Sequence, residues 1–188
     1  LDIDFSLLIN DSEIPINIEG SIPINKSDNI DLRLSGNGKF FELIDIFADE
    51  YFTFKEGDVN LRVILKGTLN KPLLNGFVVV KDSEIEFLKN KIKDINSTII
   101  FDFDSLEINN LQAKAEDSGE IFIKGSLPFY SKNDYEKAKI NLITNRFNLE
   151  KDNFNFLIDS DIYLSGSFES PVLGGSLSFN NGFINFNS

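Results

Sequence analysis

The chain has 188 residues, 41% of them hydrophobic, with Phe 19 against Tyr 4 and no Trp, and it contains no Cys, no Met and no His. The missing His and Cys remove the commonest general base, the usual zinc ligands, thiol nucleophiles and disulfides. Thirty acidic against 18 basic residues give a formal net charge of −12, which disfavours nucleic acid and electrostatic docking on anionic headgroups.

Asp2 to Ile9 opens as an amphipathic strand, with Ile3, Phe5 and Leu7 opposite Asp2, Asp4 and Ser6. After Asn10-Asp11-Ser12, Ile14, Ile16 and Ile18 line one face up to Gly20, and Pro15 and Pro23 mark edges or bends. Ile30, Leu32 and Leu34 form another short strand. Phe40, Leu43, Ile44, Phe47 and Tyr51 fall at steps of three and four, so the spacing predicts one short helix over 40–51, capping an end of a sheet. Val59, Leu61, Val63 and Leu65 then alternate with Asn60, Arg62 and Lys66. Lys89 to Asn96 reads as a charged bend. Ile99, Phe101, Phe103, Leu106 and Ile108 lead to a break at the double Asn109-Asn110, and Leu111, Ala113 and Ala115 follow. Ile121, Ile123 and Leu127 make one further strand, and Ile140, Leu142 and Phe147 precede the last. Short strands of about 5 to 8 residues separated by loops predict an all-β fold.

An internal repeat organises this series. Gly67/Gly166, Pro72/Pro171, Leu74/Leu173, Gly76/Gly175, Ile85/Ile184 and Phe87/Phe186 recur at one constant spacing, and Gly20-Ser21-x-Pro23 returns as Gly125-Ser126-x-Pro128. Each copy reads as a strand ending in Gly, a linker with Pro, a second strand starting at Gly, a tight turn and a third strand. Asn181-Gly182 is a strong hairpin dipeptide and Asp82-Ser83 a weaker one. The repeats, over about 14–87 and 119–186, predict one continuous architecture across 1–188. Without Met, and with neither a signal-peptide pattern nor a run of about 18 apolar residues, the chain is expected to be a piece of a longer protein whose membrane anchor lies elsewhere.

No residue demands catalysis, and the chain is expected not to be an enzyme and to need no cofactor. Asp2/Asp4, Asp102/Asp104 and Asp159/Asp161 each put two carboxylates on one strand face. Glycoside hydrolysis requires carboxylates facing each other across a cleft, and no calcium-loop pattern is present, so these pairs read as the wet face of strands. Lys89, Lys91 and Lys93 offer a headgroup contact or, better, charges that guard a turn or edge.

The motifs Gly67-Thr68-Leu69-Asn70-Lys71-Pro72-Leu73-Leu74-Asn75-Gly76 and Gly166-Ser167-Phe168-Glu169-Ser170-Pro171-Val172-Leu173-Gly174-Gly175, with the helical stretch before the first, resemble the TamB family. These translocation and assembly module proteins are related to AsmA and to bridge-like lipid-transfer proteins. The resemblance covers nearly the whole chain. It implies an elongated, curled antiparallel or mixed sheet, a U-shaped trough called a β-taco, with an apolar concave face. It also implies a setting in the periplasm or envelope intermembrane space, an inner-membrane anchor outside this chain, and an outer-membrane partner of the BamA class met by other parts of the full-length protein.

The first functional expectation is a non-catalytic groove that carries phospholipid acyl chains between inner and outer membrane. Its lining is read as Ile3, Phe5, Leu7, Ile16, Ile18, Leu61, Val63, Leu65, Phe101, Phe103, Ile121, Ile123, Ile162, Leu164, Ile184 and Phe186. The second is a chaperone-like groove, or sheet edge, that holds outer-membrane β-strands. A β-solenoid polysaccharide enzyme or adhesin is the third, and the missing aromatic platform of Trp and exposed Tyr weakens it. At this level the inward set stays open wherever Ile64, Ile100 or Phe122 breaks the alternation, because a one-residue slip flips a strand.

Overall fold

The computed structural model describes residues 2–7, 16–23, 25, 28–38, 52–87, 90–115, 119–131, 138–151 and 154–184, and of 2–7, 52 and 151 the backbone alone. Eleven strands follow one another: β1 (Asp2–Leu7), β2 (Ile16–Ser21), β3 (Asn29–Gly38), β4 (Phe52–Thr68), β5 (Lys71–Phe87), β6 (Asn90–Phe103), β7 (Ser105–Ala115), β8 (Gly119–Pro128), β9 (Lys139–Lys151), β10 (Phe154–Gly166) and β11 (Pro171–Ile184). They form a single sheet in sequence order, each strand antiparallel to the one before it, with β1 and β11 as its edges and no closure into a barrel. The fold is therefore all-β, and no described residue is helical. The expected helix over 40–51 lies outside the described residues.

The strands are longer than the sequence predicts, 17 residues each in β4 and β5, because several expected turns are bulges inside them. Asn181 (φ 39) and Asp82 (φ 45) take the positive φ expected of hairpin residues. The chain nevertheless continues through them, and the pairing register shifts there instead. Of the expected bend at 89–96, the described part, 90–96, is the start of β6, with a bulge at Asp94 (φ 55), and Asn109-Asn110 is an interruption within β7. A turn does occur one strand-end earlier, at Phe103-Asp104. Gly76 and Gly175 lie within β5 and β11 rather than starting them, and Pro72 and Pro171 stand at strand starts, not in linkers. Turn-forming dipeptides supply a left-handed residue, and a bulge uses that residue as readily as a hairpin does.

Bulges in β4 (Glu56–Asp58), β5 (Val80–Ser83) and β6 (Lys93–Asn96) lie side by side and bend all three strands. Polar side chains on the convex face catch the backbone groups that the bulges release. Asn96 Oδ1 accepts the Asp82 N–H at 3.2 Å, and Asp159 Oδ1 accepts the Arg146 N–H at 2.7 Å. Glycine permits close approach at a second level. Gly76 (φ +145) and Gly175 (φ +127) would each drive a Cβ into a neighbouring carbonyl oxygen, that of Arg62 and that of Asp161. Gly20 and Gly125 do the same against Asp31 and Lys139, so the device recurs in every third strand.

The sheet curls as a result. Successive strands stand about 4.8 Å apart, so β6 and β9 in a flat sheet would be separated by roughly 14 Å. Yet Asn90 Oδ1, at the start of β6, accepts the Glu150 N–H of β9 at 3.3 Å. Inside the curl Val59, Val80, Ile92, Ile95, Ala113, Ala115, Ile121 and Phe147 pack into one cluster. Ala113, Ala115 and Gly119 leave the room that lets the opposite walls meet.

Candidate apolar groove

Strand register decides which side chains share the inner face. Ile18, Leu34, Val63, Gly76, Phe101, Leu106 and Leu127 form one row across seven strands. A parallel row runs Leu61, Val78, Ile99, Ile108, Gly125, Ile140, Leu164 and Leu173. A third joins Leu111, Ile123, Leu142, Ile162 and Gly175, and Leu32, Leu65, Leu74 and Phe103 form another nearer the strand ends. Ile121 and Ile16 share this face, and Ile184 pairs with Phe154. The backbones of Ile3, Phe5 and Leu7 pair with Gly20, Ile18 and Ile16, and Phe186 lies outside the described residues. Ile64, Ile100 and Phe122, where the alternation was ambiguous, point to the convex face: Ile64 pairs with Arg33 and Asn75, Ile100 with Glu107, Phe122 with Gln112.

The inner face is not uniformly open. Ile16, Leu61 and Ile121 are buried, the last of these in the central cluster, so that section is a packed core rather than an empty channel. Ile18, Val63, Leu65, Phe101, Ile123, Ile162 and Leu164 are half-buried. Access is greatest at the edge strand β11. There Leu173 is 72% exposed and Phe179 60%, Leu177 and Ile184 are exposed too, and Phe156 packs edge-on to Phe179 at 5.8 Å. The expected lining omitted Leu173, Leu177 and Phe179. The repeat could have supplied them, because they stand where Leu74, Val78 and Val80 stand in the first copy.

One rim of the curl is crossed by a short aromatic segment. From Pro128 the chain runs on beside the β6–β7 turn: the Phe129 N–H donates to Asp104 O at 2.7 Å and the Phe129 ring stacks on Phe101 at 6.5 Å. The Tyr130 hydroxyl reaches β5 and donates to Pro72 O at 2.6 Å. The β10–β11 turn joins from the other side. Its Phe168 and Glu169 N–H groups donate to Pro128 O and Phe129 O at 3.0 and 3.1 Å, and Phe168 packs on Phe129 at 5.6 Å. Burial raises the Tyr130 hydroxyl pKa above its ordinary value, with the Glu169 and Asp104 carboxylates adding to the effect.

Charge belongs to the outside. Lys91 meets Glu84 at 2.8 Å and Lys55 meets Glu86 at 3.1 Å, pairs each contributing about 0–1 kcal/mol, and the fully exposed Lys114 and Asp94 meet at 2.8 Å. Lys114 holds the Asp94 carboxyl below the usual range, chiefly through its hydrogen bond. Lys91 is thus already partnered, while Lys89 lies outside the described residues. Asp159 braces the β9 bulge and also accepts Asn180 Nδ2 at 2.9 Å, so this member of a D-x-D pair has a structural task. Among the described residues no group of three His, Cys, Asp or Glu could hold a metal ion, and no helix is long and apolar enough to cross a membrane.

The chain is similar to Protein TIC236, chloroplastic, of Arabidopsis thaliana, with 22% identity over 135 residues. The match covers 70% of this chain and 6% of that protein's length. No protein-family model matches the chain, and no solved structure matches it significantly.

Proposed function

We propose that this chain is a non-catalytic segment of an envelope protein whose apolar groove carries phospholipid acyl chains between inner and outer membrane. One observation carries the reading: a single open sheet keeps apolar side chains on one face through successive strands and leaves that face accessible at β11. Exposed apolar surface of that extent marks a binding site. Each CH₂ transferred from water gains about 0.8 kcal/mol, so an acyl chain shelters there about as well as in a bilayer and can leave again. The distant similarity to a chloroplast protein and the TamB-like repeat motifs favour an envelope setting. Within it, the periplasm, an inner-membrane anchor and an outer-membrane partner of the BamA class belong to the same proposal.

A second reading rests on β11 itself, an edge strand with Val172 and Phe183 exposed on its convex side as well. Such an edge can accept another strand, as a chaperone of outer-membrane β-proteins would.

Photocrosslinkers at Phe179 and at Val172, introduced into the full-length protein in cells, test both. Lipid adducts at Phe179 support the conduit. Protein adducts at Val172 without lipid at Phe179 transfer the proposal to the chaperone, and binding of no acyl probe by the purified chain overturns the conduit.

A further inference from the structure

We propose that Phe129–Ser131 is a latch that closes one rim of the groove, fastened by the Tyr130 hydroxyl on the Pro72 carbonyl, and that its release opens the Phe101–Leu106–Leu127 end of that groove to acyl chains. The inference rests on the conduit reading for its ligand, but not for its geometry. A connection from β8 to the adjacent β9 has no need to visit β5, two strands beyond its own neighbour, yet Tyr130 donates there at 2.6 Å. The segment is fixed at three points: Asp104 in the β6–β7 turn, Pro72 in β5, and the β10–β11 turn, where Ser131 Oγ meets Ser167 Oγ at 3.0 Å and the Ser131 N–H meets Glu169 Oε2 at 3.3 Å. Its aromatic ring occupies the inner face itself, since Phe129 covers Phe101, the neighbour of Leu106 and the row that ends at Leu127. The latch is peculiar to the second repeat. Pro128 is followed by Phe129-Tyr130, whereas its counterpart Pro23 is followed by Ile24-Asn25, which offers neither an aromatic ring nor a phenol.

The attachment to β5 is a single contact of the kind that yields, while the bonds to the two turns act as its hinge. One neutral hydrogen bond ties Tyr130 to β5, and losing it shifts an open–closed equilibrium by about fivefold. The half-buried Leu106 lies just behind the stack and reports on opening.

The chain has no Cys, so a single thiol is an unambiguous reporter. Leu106→Cys is placed behind the latch and, as a control, Leu173→Cys on open β11, each with and without Tyr130→Phe, and labelling by a bulky maleimide is timed. About fivefold faster labelling at position 106, with position 173 unchanged and cooperative unfolding retained, is the expected result. Equal rates at position 106, or a rise at both positions, overturn the latch. Phe129→Ala, which removes the ring but keeps the Tyr130 bond, should accelerate position 106 as well, and no change there counts against the latch equally. Titration with a fluorescent fatty acid then separates the two ideas. Faster labelling without acyl binding to any variant leaves the latch standing and sinks the conduit, whereas acyl binding with unaltered labelling sinks the latch alone.

Discussion

The Asn90 side chain and the Glu150 backbone are hydrogen-bonded at 3.3 Å across the concave side of the sheet, with the whole of β7 and β8 between their strands. Asn90 is buried, and its Nδ2 donates to Phe87 O at 3.2 Å, so one carboxamide pins the end of β5, the start of β6 and the far wall together. Replacing it by Ala removes both of these hydrogen bonds at once. Asn90→Ala should cost about 1–3 kcal/mol, measured as a lower midpoint in urea unfolding. An unchanged midpoint would mean that the central cluster alone holds the curl.

The glycines that admit close approach differ sharply from one that does not. Gly76→Ala sets a methyl group against the Arg62 carbonyl at a φ of +145 and should cost about 3 kcal/mol or more. Gly36 has no such φ, and an added Cβ is tight only against Ile16 Cγ1, at 3.1 Å, with Ile16 Cα and Cβ at ordinary contact distances of 3.6 and 3.8 Å. Gly36→Ala should therefore cost much less, and comparable losses in thermal unfolding would contradict the argument.

Asp159 accepts one backbone and one side-chain donor, charge-assisted bonds of about 1.5–3 kcal/mol when made to an ionised group, less here because the site is only half-buried. Asp159→Ala should lower stability, and millimolar calcium should leave the melting temperature of the unsubstituted protein where it is. A calcium-dependent rise abolished by Asp159→Ala would restore the metal reading of the D-x-D pairs.

Tyr130 makes the latch sensitive to strongly alkaline pH. Its pKa lies above the ordinary 10.0, so the neutral form is favoured in the folded state. The stabilisation is full below pH 10 and is lost as pH rises through the raised value, because a phenolate cannot donate to Pro72 O. The facing charges are the Glu169 and Asp104 carboxylates and Lys71, whose Nζ lies 5.9 Å from the ring centre. The difference in phenolate absorbance between the unsubstituted protein and Tyr130→Phe should titrate above pH 10, and titration at or below it would exclude a buried donor.

What the sequence reveals of this fold is its periodicity. Val59, Leu61, Val63 and Leu65 alternate cleanly and lie on one face, as do Ile121, Ile123 and Leu127, because a pleated strand turns alternate residues to opposite sides. Local sequence could not separate a turn from a bulge at Asn181-Gly182 or at Asn109-Asn110, since both use the same backbone conformations and only the neighbouring strand decides whether the chain reverses. Burial was equally hidden. Leu61 and Phe103 look alike in the alternation, yet one is buried and the other 56% exposed, a difference set by how far the curl brings distant strands over each. Phe129-Tyr130 in a loop after Pro128 was the visible trace of the latch, although its anchor on Pro72 is 58 positions away.

Because every strand pairs with its immediate predecessor, no segment must wait for a distant one before it is zipped into place. Assembly of the sheet is a sequence of local loop closures, the least costly kind in chain entropy and the quickest to complete. A polypeptide threaded through a narrow opening from one end could thus acquire this architecture hairpin by hairpin as it emerges, with each finished strand serving as the template for the next.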